Sequence, residues 1–225
     1  MIKLIAALTM LIDHIGFLFF PEDFLYRVIG RLAMPLFAYC VARGYFYSRK
    51  HGTFHKYLLN MFVLAVISQI PFSMVSSGKL NICFTWLLSL LLLAVAETQH
   101  DSPLKYYIRT SLLYGLVIFL VGLGVFPVEY GIYGIITPLL FYFLITRGKE
   151  NTTNYFLVLV SGWAIYMLAQ RGSAAAIMHI FSVMSAFLLS ICKRYDRKVK
   201  LPKWAYYTFY PVHLMILLAI HYFIV

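Results

Sequence analysis

The sequence predicts an all-α protein, a polytopic transmembrane bundle of about nine helices, and two observations lead to this fold class. Of 225 residues, 62% are hydrophobic and 12% are charged, whereas an ordinary soluble domain has about 25% charged residues. Apolar runs also recur along the chain at the length of a spanning helix, which needs about 20 mainly apolar residues. We therefore predict a single integral-membrane domain over residues 1–225, with no soluble catalytic domain.

Each predicted helix is an apolar run that ends at turn-forming or charged residues, such as Pro21, Gly78 or Gly124. The runs cover residues 2–20, 24–48, 54–75, 81–97, 105–123, 129–146, 153–170, 173–191 and 205–224. The first run begins like a secretory signal, but Asp13 and His14 interrupt its apolar centre and no small-residue cleavage site follows. We therefore predict that it is a helix of the mature protein.

The basic residues predict the orientation of the bundle. The net charge is +11, and lysine and arginine lie mainly in alternate loops, with Lys79 and Arg171 in the opposing ones. The positive-inside rule then places the N-terminus in the cytoplasm and the C-terminus outside. This distribution indicates contacts with lipid phosphates rather than with nucleic acid. Alternatively, the basic side attracts an anionic cofactor such as coenzyme A, for which Arg43 and Lys56 are the candidate contacts.

The three cysteines, Cys40, Cys83 and Cys192, are scattered and form no CxxC pair. They show no ligand spacing with histidine, so we predict neither a disulfide framework nor a metal site. Their expected role is packing.

Charged side chains inside the first two apolar runs point to a functional site. A charge near the bilayer centre costs roughly 2.5 to 3.5 kcal/mol on insertion scales, so it normally faces a protein interior or a watery cavity. Asp13 and His14 lie in the outer half of the first helix, and Arg27 and Arg31 lie at the same level of the second. Arg27, Arg31 and Pro35 are spaced by four and share one face. Pro35 is expected to kink this helix and open space beside Arg31.

Polar residues of two later helices are expected at the same depth. Glu129 and Tyr130 open the sixth helix from the outer side, and His213 lies near the middle of the ninth, three residues after Tyr210. A histidine in an apolar helix needs a partner and can carry protons near neutral pH. We therefore expect an acid, a base and a cation to meet at this level.

Each of these residues also has a structural interpretation. Asp13 and Arg31 could form a buried ion pair, and His14 could be a hydrogen-bonded core histidine. Glu129 would be favoured at a helix start by the helix dipole alone, and Arg43 could extend to the lipid headgroups. The remaining histidines, His51, His55, His100, His179 and His221, have no distinguishing context.

Five segments, in order, resemble the TraX family from the first helix to the last. They are LIDHIG at 11–16, IGRLAMPLFAYCVARGYFYSRK at 29–50, KYLLNMFVLAVISQIPF at 56–72, EYGIYGI at 129–135 and FYPVHLMIL at 209–217. The family is named for a membrane protein that N-acetylates F-type pilin, and it is similar to a wider set of multi-pass acyltransferases that includes the lysosomal heparan-glucosaminide N-acetyltransferase. The resemblance implies acetyl-CoA as the acyl donor and an amine as the acceptor.

The resemblance also implies the site residues. Asp13 and His14 match the Asp-His pair of the family, Arg31 with Pro35 matches its Arg-x-x-x-Pro element, and His213 matches Tyr-Pro-x-His. These four residues, Asp13, His14, Arg31 and His213, are the expected catalytic group. Substrate binding is expected from Glu129, Tyr130, Tyr210 and Arg27. The family pattern often has acidic residues where this chain has Arg43 and Gln69, and we assign both departures to the inner end of the pocket, where they are compatible with a changed substrate.

The expected function is therefore acetyl transfer at a bacterial inner membrane, to an amine of a peptide, a pilin-like protein or a small molecule. His14 or His213 would be the base, Asp13 would orient a histidine, and Arg31 would stabilise charge or bind the acyl donor. Transfer could be direct or pass through an acetyl-histidine. Membrane lipids are expected partners, and oligomers are compatible with the sequence. Two other classes stay open: a transporter or flippase, disfavoured because no repeated halves are visible, and a non-catalytic membrane assembly protein.

Overall fold

The computed structural model describes residues 1–76, 78–97, 103–195 and 202–224 of the chain. Its elements are α1 (Ile2–Phe19), α2 (Phe24–Gly30), α3 (Ala33–Lys50), α4 (Phe54–Val75), α5 (Ile82–Ala96), α6 (Pro103–Gly122), α7 (Gly131–Thr146), α8 (Thr152–Ala169), α9 (Ala174–Met178), a 3₁₀ segment (His179–Met184), α10 (Ser185–Arg194) and α11 (Lys203–Ile224). Within these ranges the only extended pairing is one isolated bridge between Leu80 and Val128.

The predicted all-α class and all nine predicted helical segments are confirmed, with ends that shift by a few residues. Five segments of the described chain are long and apolar enough to cross a membrane: Ile2–Phe19, Phe24–Lys50, Phe54–Val75, Thr152–Ala169 and Ala176–Arg194. Three further apolar helices are shorter, Ile82–Ala96, Tyr106–Gly122 and Gly131–Thr146.

The second predicted helix, residues 24–48, is divided in two, which corrects the expectation of a kink at Pro35. Helix α2 ends at Gly30, and α3 begins at Ala33, so the break falls at Arg31 and Leu32. Pro35 then lies in the first turn of α3, where its missing N–H would have had no helical partner. In a continuous helix its ring would clash with the carbonyl of the residue four positions earlier, which is Arg31. The break therefore falls where the proline ring requires it.

The eighth predicted helix is also divided, by the 3₁₀ segment. The Ser182 hydroxyl donates to the His179 carbonyl at 2.6 Å, and the Ser185 hydroxyl donates to the Ser182 carbonyl at 2.7 Å. Serine hydroxyls that bond back to their own helix compete with the regular ladder and often bend it. This distortion places the His179 side chain in the interior, where it is 5% exposed.

Helix α3 is the centre of the bundle and packs against α7, α1 and α4. Its residues Leu36, Ala38, Ala42 and Tyr45 are fully buried. Because the helices alternate in direction, the N-terminus and the C-terminal ends of α3, α5, α7 and α10 lie at one end of the bundle, here called the N-terminal end. The C-terminal ends of α1, α4, α6 and α8 lie at the opposite end.

Two loop carboxylates, Glu97 and Glu150, fasten the N-terminal end of the bundle. Each accepts hydrogen bonds from two tyrosine hydroxyls and pairs with one cationic side chain. The partners are Tyr45, Tyr142 and Arg49 for Glu97, with Arg49 Nε at 2.8 Å, and Tyr39, Tyr155 and Lys193 for Glu150, with Lys193 Nζ at 3.2 Å. The loops at this end are thereby tied to α3 and α10.

Candidate functional site

Asp13 is the carboxylate at which α1 meets α2. Its Oδ1 lies 2.9 Å from Arg27 Nη1 and 3.8 Å from Arg31 Nη2, so both arginines reach it, as their spacing of four residues allows. Gly30 makes this approach possible, because a Cβ added at Gly30 would overlap the Asp13 side chain. Asp13 and Arg31 are both more than nine-tenths buried. One negative charge therefore faces two positive charges in the interior.

His14 and His213 form a second polar contact beside this cluster. His14 Nδ1 lies 2.7 Å from His213 Nε2, and the two ring planes differ by 20°. The pair joins α1 to α11 across 199 residues of sequence. Neighbouring residues of α1 thus face different partners, with Asp13 toward α2 and His14 toward α11.

The hydrogen bonds of His213 fix the tautomers of the neutral pair. The Phe209 carbonyl oxygen can only accept, so His213 Nδ1–H donates to it at 2.7 Å. His213 Nε2 is then the acceptor, and His14 Nδ1–H donates to it. His14 Nε2 is left with a lone pair that neither of these bonds uses.

A cavity of about 30 Å³ lies beside these groups. Its polar lining residues are Asp13, His14, Glu129, Tyr130 and Tyr210, and its apolar lining residues include Met34, Phe37, Ile82 and Trp86. Five helices, α1, α2, α3, α5 and α11, and the turn before α7 contribute to it. The cavity is therefore lined by acid and base groups together with apolar side chains.

Glu129 and Tyr130 lie in the turn before α7, which corrects their predicted place in the first turn of a helix. Helix α7 begins at Gly131, and Tyr130 has a left-handed backbone with φ of 59°. The Glu129 carboxylate instead accepts a hydrogen bond from the Ile82 amide, at the start of α5. Burial raises the pKa of Glu129 to about 7. Since L-residues rarely adopt a positive φ, the turn holds Tyr130 in a conformation with a strain cost.

His179 belongs to this cluster although its sequence context does not indicate it. Arg31 Nη1 donates to His179 Nε2 at 3.3 Å, and the rings of Tyr130 and Tyr166 each lie 5.1 Å from the His179 ring. His179 is 148 residues from Arg31, and no motif links them. The available signal was general: a histidine inside an apolar helix needs a polar partner.

Five residues that were expected at the site do not line the cavity. Arg31 and His213 contact its lining residues Asp13 and His14, and the other three are Arg27, Arg43 and Lys56. The Arg43 guanidinium lies 5.7 Å from the Tyr47 ring centre, and Lys56 is exposed in the first turn of α4. Arg27 pairs with Asp13 but is not part of the cavity wall.

Gln69 lies at the opposite end of the bundle, so its assignment to the inner end of the pocket was wrong. Its Nε2 donates to the Lys79 carbonyl at 2.9 Å, and its Oε1 accepts from the Asn81 amide at 2.9 Å. Helix α4 runs away from the N-terminal end, and residue 69 is near its last turns. Both ends of this side chain therefore hold the loop between α4 and α5.

The chain is similar to known proteins over most of its length. A family profile described as TraX protein matches residues 1–221. The probable fimbrial assembly protein FimC, serogroup H1, of Dichelobacter nodosus is 28% identical over 250 residues, which is 96% of this chain and 92% of that protein. An uncharacterised protein of Rickettsia prowazekii is 46% identical over 50 residues, 22% of this chain and 19% of that protein. No solved structure matches. With its apolar helices, this chain is a membrane protein that belongs to the TraX protein family.

Proposed function

We propose that this protein is a membrane-embedded acyltransferase that moves an acetyl group from acetyl-CoA to an amine. The observation that carries the proposal is the His14–His213 pair at 2.7 Å, beside a cavity lined by both polar and apolar side chains. Amine acylation requires a base, because an ammonium ion must lose a proton before its nitrogen can attack a thioester. The hydrogen bond between the two imidazoles supplies an oriented base at the edge of the cavity.

In this mechanism His14 is the base and His213 orients it. The lone pair on His14 Nε2 takes the proton of the amine, while the bonds from His14 to His213 and from His213 to Phe209 hold both rings in place. The amine nitrogen forms a bond to the acyl carbon, the carbon–sulfur bond breaks, and the nitrogen gives up its second proton. One of the two protons passes from His14 to the departing thiolate, and the other leaves to water. In the relay alternative, His14 Nε2 itself receives the acetyl group and passes it to the amine.

The ion cluster next to the histidines keeps a positive potential at the site. Two arginines share the Asp13 carboxylate, and Glu129 also interacts with both, so the cluster is net positive when Glu129 carries a proton. Such a field lowers the energy of the negative charge that develops on a tetrahedral intermediate. Glu129, Tyr130 and Tyr210, which line the cavity, are the groups proposed to contact the amine substrate.

The name of the Dichelobacter relative suggests the amine substrate. That protein is described as a probable fimbrial assembly protein, so we assign a pilin-like polypeptide as the first amine acceptor to test. We place the protein in a bacterial inner membrane with its N-terminus in the cytoplasm. Acetyl-CoA then enters from the N-terminal end of the bundle, where Arg43 and Lys56 can attract its phosphates.

The test is transfer of labelled acetyl from acetyl-CoA by the purified full-length protein in detergent, with a pilin-derived peptide as the amine. Replacing His14 or His213 by alanine is expected to lower turnover about 10²- to 10⁴-fold, the usual contribution of a general base. His221→Ala is the matched control, because His221 lies on the same helix as His213 but packs against Phe19, at a ring distance of 5.6 Å. It should retain transfer.

Normal turnover in both His14→Ala and His213→Ala would contradict the mechanism. A separate binding measurement addresses the class of protein. Coenzyme A should raise the melting temperature of the wild type, since a ligand that binds only the folded state stabilises it. No thermal shift and no transfer would reject the acyltransferase and favour a membrane assembly role.

A further inference from the structure

Trp86 lines the cavity and carries an unused hydrogen-bond donor. Its side chain is 6% exposed, and its indole Nε1–H has no hydrogen-bond partner among the described residues. An unpaired buried donor costs about 1 to 3 kcal/mol. Such a cost in a cavity wall points to a ligand that supplies the missing acceptor.

The position of Trp86 is fixed by its neighbours. Trp86 follows Ile82 by four residues, so both lie on one face of α5 and both line the cavity. The Phe37 ring, on α3, lies 5.9 Å from the Trp86 ring and also lines the cavity. The indole is therefore held between two helices, with its donor buried.

The indole N–H can only donate a hydrogen bond, so the ligand atom that it binds must be an acceptor. An ammonium group has no acceptor to offer, whereas an acyl carbonyl oxygen is only an acceptor. The carboxylates of Asp13 and Glu129, which also line the cavity, would repel a developing oxyanion, so the oxyanion needs a hydrogen-bond donor. Trp86, among the apolar lining residues, carries one, next to space for a small acyl group.

We propose that Trp86 Nε1–H binds the carbonyl oxygen of the acyl group while the acyl chain lies against Met34 and Phe37. This inference rests on the proposed acyl transfer and adds a substrate-binding residue to it. As the amine nitrogen bonds to the acyl carbon, the carbonyl π electrons move to the oxygen, and they return when the carbon–sulfur bond breaks. The Trp86 bond is strongest at the oxyanion, so it acts mainly on turnover.

The experiment compares Trp86→Phe with Trp163→Phe in the full-length protein. Trp163 Nε1–H already donates to the Ala176 carbonyl at 2.9 Å, so its loss should reduce thermal stability while transfer per folded molecule is retained. Trp86→Phe should keep its melting temperature and lower kcat about 10²- to 10³-fold, the effect of removing one oxyanion donor. Its KM for acetyl-CoA should change little.

A binding readout separates this role from a general packing effect. Wild type should bind a ketone analogue of acetyl-CoA more tightly than the matching thioether without a carbonyl, and Trp86→Phe should lose this preference. If Trp86→Phe does not fold, benzothienylalanine at position 86 replaces the N–H by sulfur and keeps the ring shape. If wild type transfers acetyl and kcat is unchanged in Trp86→Phe or in the benzothienylalanine variant, the Trp86 proposal alone is overturned. If wild type shows no transfer, the acyltransferase itself is rejected.

Discussion

Asp13 shows how a single residue sets the charge balance of the site. Asp13 is the shared partner of Arg27 at 2.9 Å and Arg31 at 3.8 Å, so its removal would leave both guanidinium groups without this negative partner. Breaking a buried ion pair by removing one partner typically costs about 3 to 5 kcal/mol, because an uncompensated charge stays behind. The stability of this region should therefore depend on the carboxylate more than on either arginine.

Asp13→Asn is expected to lower the free energy of unfolding by about 3 kcal/mol or more. The double variant Asp13→Asn with Arg27→Gln should recover part of this loss, because one of the two uncompensated charges is then absent. Denaturant titrations of the single and double variants measure this coupling. Strictly additive losses would show that Arg27 and Asp13 do not interact energetically.

The central residues of the site can be identified from the sequence, whereas His179 and Trp86 cannot. Asp13, His14, Arg31 and His213 are charged or titratable groups within apolar runs, and such groups have to meet a partner in a membrane. His179 also lies in an apolar run, but no motif distinguishes it from the other histidines, and Trp86 carries no charge. Trp86 lies in the apolar run of α5, where a tryptophan that lines a cavity has the same sequence pattern as one that faces lipid.

At the scale of the helix, the contact between α1 and α2 depends on two glycines. A Cβ added at Gly30 would overlap the Asp13 side chain, and one added at Gly16 would overlap the Cβ of Tyr26. The atoms in the way are close to the backbone of the partner helix, so they cannot move aside by a rotamer change. The close approach of α1 and α2, which brings Asp13 to Arg27 and Arg31, therefore depends on these two glycines.

Gly30→Ala should destabilise the protein by about 1 to 3 kcal/mol, the usual cost of overpacking, and should also reduce acetyl transfer by displacing Asp13. Gly115→Ala, in α6, is the control, because nothing lies within 4 Å of its added Cβ. It should be neutral or stabilising by up to about 1 kcal/mol, since alanine favours helix. Thermal unfolding and transfer assays report both effects, and equal behaviour of the two variants would refute the packing argument.

The helices themselves are largely predictable from hydropathy, because the backbone of each spanning run has to form its hydrogen bonds within a helix. The interruptions are less predictable. Proline restricts the residues before it, but whether a helix kinks or stops there depends on its packing partners, as the stop at Arg31 shows. The 3₁₀ segment depends on where the hydroxyls of Ser182 and Ser185 point, which a sequence does not specify.

For the whole molecule, the charge distribution predicts its orientation. Arg49, Lys50, Arg147 and Lys149 lie at the N-terminal end with the first residues of α1, and the predicted basic run 193–203 lies partly outside the described residues. An excess of lysine and arginine marks the cytoplasmic side. Alkaline phosphatase fused after Gly172 should therefore be active, and a fusion after Lys149 should be inactive.

The same two fusion points carry a reciprocal check. Green fluorescent protein should fluoresce after Lys149 and stay dark after Gly172, because it does not mature outside the cytoplasm when exported unfolded. The opposite pattern in both reporters would show that the bundle has the reverse orientation. The basic end would then face away from the cytoplasmic supply of acetyl-CoA.

The interruption between α2 and α3 has a consequence for how a charged amine could enter an apolar surrounding. At a helix end, backbone carbonyls and amides lose their ladder partners, and this end lies level with Asp13. Non-helical backbone at membrane depth is stable only against protein or water. Carbonyl dipoles at the C-terminal end of α2, rather than the amides that begin α3, would replace the hydration shell of an incoming ammonium, step by step, before it surrenders a proton.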